Sequence, residues 1–139
     1  MKDEKRLPLV LLMIRLSVFL VMFVWTLDKF INPEHATKVY EHFYFIGGLG
    51  NTAIAAIGII EIVILLGFLV GFQKRYTYGA VFLFHAISTL SSFKQYMEPF
   101  DHLLFFAAWP MLAACFALYL LREGDTLWVV GKRVTEPTS

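Results

Sequence analysis

RLSVFLVMFVWTLDKFINP, residues 15–33, is almost wholly apolar, yet it opens on the guanidinium of Arg15 and closes on Asp28 and Lys29. Extended back to Leu7, the apolar run covers residues 7–31. About 20 apolar residues, rising ~1.5 Å each as a helix, suffice to cross a bilayer. Pro8 then falls in the first helical turn, where its missing N–H is harmless. Counted from Leu7 at that rise, Arg15 lies roughly 12 Å into the membrane. A charge at that depth costs ~2.5–3.5 kcal/mol on insertion scales unless it faces the bundle interior or a partner. The rest of the chain is therefore read for that partner.

Of the 139 residues, 58% are hydrophobic and 17% charged, against about 25% charged in a soluble domain. The apolar excess falls in four blocks, which predicts an all-α integral membrane bundle of four transmembrane helices, a single membrane domain over residues 1–139. The spans are residues 7–31, 47–70, 77–93 and 102–121, and a polar, disordered tail covers 122–139. The bilayer is thus the first partner, and a homo-oligomer is a further expectation. A net charge of +1 gives no electrostatic case for nucleic acid. Cys115 is the single cysteine, which excludes an intramolecular disulfide, dithiol exchange within the chain and Cys/His zinc spacing. The first apolar run exceeds the ~7–15 residues of a signal-peptide core, and no A-x-A site follows it.

Asn32 and Pro33 read as an N-cap and first helical residue. They start a short helix over 33–45 that is too polar to span, an interfacial helix or re-entrant loop on the outer surface. GFQKRY at 71–76 is a tight basic turn, 94–101 is a second outer loop, and Pro110 is expected to kink the fourth span. Lys2, Lys5, Arg6, Lys74, Arg75, Arg122, Lys132 and Arg133 lie on one side, and Lys29, Lys38 and Lys94 on the other. That bias places both termini in the cytoplasm of a bacterial-type inner membrane.

At the same helical rise, Glu61 lies roughly 13–14 Å from the cytoplasmic end of span two and His85 roughly 12 Å from that of span three. Both match the level of Arg15. Charges in hydrocarbon should find one another, so the expectation is an Arg15–Glu61 ion pair with His85 adjacent. Gly58, Gly50 and Gly47 share the face of Glu61 and permit close helix approach. Such a cluster is either a lock that fixes helix register or a functional proton donor and headgroup anchor. His85, Ser88, Thr89 and Ser92 follow helical spacing along one face of span three. An outer layer of Asp28, Lys29, Asn51, Lys94, Asp101 and His102 is either a set of solvated helix ends or a polar mouth above Arg15. The candidate catalytic residues are Glu61 and His85, and the candidate ligand-binding residues are Arg15, Lys29, Asn51, Ser88, Thr89 and His102. His35 and His42 share a face with Glu34 nearby, but two imidazoles without a firm third ligand do not make a metal site. Haem is not expected either, since His85 and His102 lie at different depths. Among the 14 Phe, 6 Tyr and 3 Trp, the side chains Trp25, Tyr96, Trp109 and Trp128 are interface anchors or flank a planar ligand.

Arg15, Trp25, Lys29, Asn32 and Pro33 together resemble the first helix of the DoxX-like family of small four-helix membrane proteins. Glu61, Gly67, Gly71, Lys74 and Arg75 match that family's second helix, with its Glu followed by Gly and a short basic turn. The resemblance covers roughly residues 10–122. It departs where Ser17 and Phe19 stand in place of the glycine often found after the Arg. It implies a four-span bundle and associates the chain with quinone-linked thiosulfate oxidation, methylamine utilisation and defence against quinone or thiol stress.

Three function classes compete. A quinone-interacting redox subunit needs an apolar slot, hydrogen-bond donors and a proton source, which Phe-rich walls with Arg15, His85 and Glu61 supply. No metal or haem centre is expected in the chain, so electrons would come from a soluble redox partner or a diffusing reductant. The second class is a small-anion or organic-acid permeation path over Arg15. The third is a membrane scaffold for soluble redox enzymes.

Overall fold

A computed structural model describes residues 3–44, 47 and 50–130, and every regular element among them is helical. The helices are α1 Asp3–Ile31, α2 Pro33–Tyr44, α3 Asn51–Leu69, α4 Lys74–Ser91, α5 Phe93–Tyr96 and α6 Ala108–Leu120. Single 3-10 segments at Leu103–Ala107 and Arg122–Gly124 flank α6. Three stretches are long and apolar enough to cross a membrane: Glu4–Ile31, Thr52–Leu69 and Leu103–Leu120. α4 has the length, at 18 residues, but Lys74, Arg75, His85 and its hydroxyl residues make it more polar than those three.

α1 pairs along α3 and α4 along α6, with α3 and α4 joined by the turn at 70–73, and α2 lies across α1 and α3. The helix starts differ from expectation in ways with local causes. α1 begins at Asp3, so Pro8 lies inside it and leaves the Glu4 carbonyl without an intrahelical partner. α4 begins at Lys74 because Gly71 and Gln73 both take left-handed backbone, at φ +67° and φ +47°, and reverse the chain within a few residues. A Cβ on Gly71 would stand 2.5 Å from Val129 Cγ1, so glycine is required there twice over. Pro110 falls in the first turn of α6, just after the 3-10 segment, where no N–H is needed and no mid-span kink results.

The core lies at the end of the bundle that carries the α3–α4 turn. Leu11 and Val18 of α1, Leu65 and Phe68 of α3, Tyr78 and Val81 of α4, and Cys115 and Leu118 of α6 close it. Outward faces such as Ile59, Ile60, Val63, Leu83 and Leu90 remain exposed. At the opposite end, that of α2, a Cβ on Gly58 would stand 2.7 Å from the Phe30 ring, so α1 and α3 close up on a glycine. α6 does not close on α1 there, and a groove runs between them.

The segment from Arg122 is not a disordered tail as far as Val130. After its 3-10 turn it folds back beneath the bundle, where the Val130 N–H donates to the Val70 carbonyl at 2.7 Å. Gly124 packs on Leu7, and Asp125 is fully buried. Residues 131–139 lie outside the described residues.

Candidate functional site

Arg15 finds its partner in that returning segment. Its side chain is 0% exposed, and Nη1 lies 2.6 Å from Asp125 Oδ1. Nη2 donates to the carbonyls of Leu127 at 2.7 Å and Trp128 at 3.2 Å. Tyr78 completes the ring, accepting from Arg15 Nη1 at 3.4 Å and donating to Asp125 Oδ2 at 2.5 Å. Lys74 donates to the carbonyls of Arg122 and Asp125. Burial, the largest influence, pushes the Lys74 ammonium below its ordinary value, opposed by Asp125 and reinforced by Arg15.

The expected Arg15–Glu61 pair is therefore not formed, and His85 does not adjoin Arg15. Counting residues fixes depth only if every helix starts at the membrane edge. α1 instead begins lower, and its Arg15 is level with Tyr78 in the first turns of α4. Glu61 meets α1 at Thr26 and Lys29, eleven and fourteen residues beyond Arg15, which is roughly 16–21 Å further along the axis.

Glu61 anchors a second polar group at the α2 end. Lys29 Nζ stands 3.0 Å from Glu61 Oε2, with the two side chains 12% and 19% exposed. The Thr26 hydroxyl lies 3.0 Å from the same carboxylate oxygen and 2.9 Å from the Met22 carbonyl, and donates to one of them. Tyr40 of α2 donates to Glu61 Oε1 at 3.4 Å, and Lys29 sits over its ring at 5.6 Å. Beside this group, His35 Nδ1 and Asp28 Oδ2 are 2.5 Å apart. Lys29 and Glu61, and His35 and Asp28, thus face one another within the chain.

Between α1 and α6 lies a groove of about 1250 Å³ whose walls are mostly apolar. On α1 it runs from Met13 to Ile31, roughly 27 Å at helical rise. Pro110, Met111 and Ala114 form part of the facing wall, and Phe84, His85, Ser88 and Ser92 of the α4 region form the floor. Lys29, Glu61 and Tyr40 line its α2 end, whereas Arg15 is not among the lining residues. Inside it, the Trp25 and His85 rings are stacked at 6.2 Å and 26°. His85 Nε2 faces the Ala108 carbonyl at 3.0 Å. A carbonyl only accepts, so Nε2 carries the hydrogen. His85 Nδ1 is buried and has no partner among the described residues.

Of the other candidates, Ser88 lines the groove one helical turn from His85. Thr89 does not: its hydroxyl donates to the His85 carbonyl at 2.7 Å within its own helix. His102 packs edge-on to Phe105 at 5.4 Å, outside the lining. The Asn51 side chain lies outside the described residues. His42 meets the Gln95 amide at 3.3 Å, and His35 is engaged by Asp28. Among the described residues, no three His, Cys, Asp or Glu side chains come together as a metal-holding group. The sequence reading missed Asp125, Tyr78, Thr26 and Tyr40. A signal for the first was available: Asp125 precedes the apolar run Leu127, Trp128, Val129, Val130. No family model, no curated protein and no solved structure matches this chain.

Proposed function

We propose that this is a DoxX-like four-span membrane protein that binds a quinone-class lipid in the α1–α6 groove, ring toward the α2 end and tail toward Met13 and Ala114. In this reading α4 is the fourth span, α2 lies along the membrane surface, and both termini face the cytoplasm. The observation that carries the proposal is the pairing of charges at the polar end. Lys29 is engaged by Glu61 and Asp28 by His35, so a charged headgroup meets no free counter-charge there. A neutral ring with polar substituents meets the Trp25–His85 aromatic pair, Ser88 and an apolar trough long enough for a chain. Arg15 counts against an anion path, because its charge is spent on Asp125 away from the groove.

The test is titration of the purified protein with decylubiquinone, followed by tryptophan fluorescence. Saturable quenching that is lost in Trp25→Phe supports the reading. An unsaturable response, or a bound phospholipid that excess quinone does not displace, overturns it.

A further inference from the structure

The tautomer of His85 limits which form of such a ligand fits. The ring is one of the groove-lining residues, stacked on Trp25 and 1% exposed. Its Nε2–H is committed to the Ala108 carbonyl of α6. A neutral imidazole that donates from one nitrogen presents a bare lone pair at the other. No carboxylate pairs with this ring among the described residues, so nothing holds a second proton on Nδ1 in an apolar wall. Nδ1 is thus a buried acceptor without a donor. An unmatched buried acceptor is unfavourable, and a ligand relieves it only by bringing an O–H or N–H. A ring carbonyl would instead set two acceptors against each other.

Resting on the quinone-class reading of the groove, we infer that the site selects the reduced, hydroxyl-bearing ring: a hydroquinone or related phenol whose O–H donates to His85 Nδ1, with Ser88 one turn away as a second polar contact. The inference concerns binding alone. The hydroxyl remains intact and no electron is transferred. Lys29 and Glu61 play no part in the discrimination, since they already satisfy each other.

The experiment is anaerobic titration of the full-length protein with three ligands of equal tail: decylubiquinol, decylubiquinone and the bis-methyl ether of the quinol. The ether keeps ring shape and tail but has no donor. The expected result is that the quinol binds about tenfold or more tighter than either of the others, the scale of one buried hydrogen bond made or missed. His85→Phe keeps an aromatic wall without the acceptor, and there the three affinities should converge. That variant also loses the bond to Ala108, so the ligand series on the unaltered protein decides the matter if the variant does not fold. Decylubiquinone binding as tightly as the quinol, or tighter, overturns the inference while leaving the quinone-class site standing. Equal affinity of quinol and ether overturns it too. Failure of all three to bind overturns the site itself.

Discussion

Asp125→Asn keeps the side chain's shape and removes its charge, leaving Arg15 buried with hydrogen bonds but no counter-ion. Both residues are fully buried and their charged atoms are 2.6 Å apart. Breaking a desolvated pair from one side costs ~3–5 kcal/mol, because the remaining charge keeps its desolvation penalty. For a chain of this length that corresponds to a fall in Tm on the order of 10–20 °C. Arg15→Leu should cost a similar amount, by stranding Asp125 against Tyr78. The double variant Arg15→Leu, Asp125→Leu places apolar groups in an apolar site and should be far milder than the sum. The assay is thermal unfolding in detergent for the full double-mutant cycle, alongside a second cycle pairing Arg15→Leu with Glu61→Leu. The first cycle should show strong coupling and the second should be additive within ~0.5 kcal/mol. Additivity in the first, or coupling in the second, would refute the assignment of Asp125 as the Arg15 partner.

A Lys29→Leu, Glu61→Leu cycle in the same assay should couple more weakly than Arg15–Asp125, by about 1–2 kcal/mol, since this pair is partly exposed; zero coupling would remove the pair. Gly71→Ala should destabilise by roughly 1–3 kcal/mol, from left-handed backbone and the clash with Val129, and a Tm equal to that of the parent protein would contradict the turn geometry. Lys74 has a folded pKa below its ordinary 10.5, so the unfolded chain binds more protons over that window and stability gains an upward contribution as pH rises toward 10.5. Comparing denaturant midpoints of the parent and Lys74→Met between pH 8 and 10.5 isolates that contribution, which must be absent from the variant. A reporter fused after Ser139 should read as cytoplasmic, and a periplasmic signal would reverse the orientation.

The parts of the fold that were legible in the sequence are those set by local rules. The apolar runs over 7–31 and 47–70 overlap the membrane-length helices Glu4–Ile31 and Thr52–Leu69, and α2 begins at Pro33 as the Asn32–Pro33 pair dictates. Three polar residues were rightly read as interior: Arg15 and His85 are buried, and Glu61 is largely so. Their partners were not legible, for two reasons. Depth counted along one helix says nothing of how far that helix is shifted against its neighbour, and here the shift between α1 and α3 is about three to four helical turns. Moreover, half of what Arg15 binds is backbone, the carbonyls of Leu127 and Trp128, and backbone acceptors carry no sequence code. For Asp125 the one local signal, the apolar run that follows it, is outweighed by its surroundings. Arg122, Glu123 and Gly124 before it read as the start of a solvated tail, and the short apolar run after it is too brief to suggest a span.

The position of the two ion pairs explains why a groove persists in so small a bundle. α1 is held to the core end through Arg15, Asp125 and Tyr78, and to α3 at the other end through Lys29, Glu61 and Thr26. These fasteners stand roughly 21 Å apart along α1. Both are short-range and directional, so each fixes the height and rotation of α1 without any contact from α6. Dispersion alone would draw two apolar helices together in lipid wherever their side chains interlock. On the facing wall, Ala107 of the 3-10 segment and Ala108 and Ala114 of α6 offer little to interlock with, and on α1 Trp25 is turned toward His85 instead. A helix pinned at both ends and faced partly by alanines leaves a trough between the pins. On this argument, replacing Ala114 with leucine should fill the trough and weaken ligand binding without touching either ion pair. An Ala114→Leu protein that kept its Tm and bound decylubiquinol unchanged would show that the ligand does not lie along that wall.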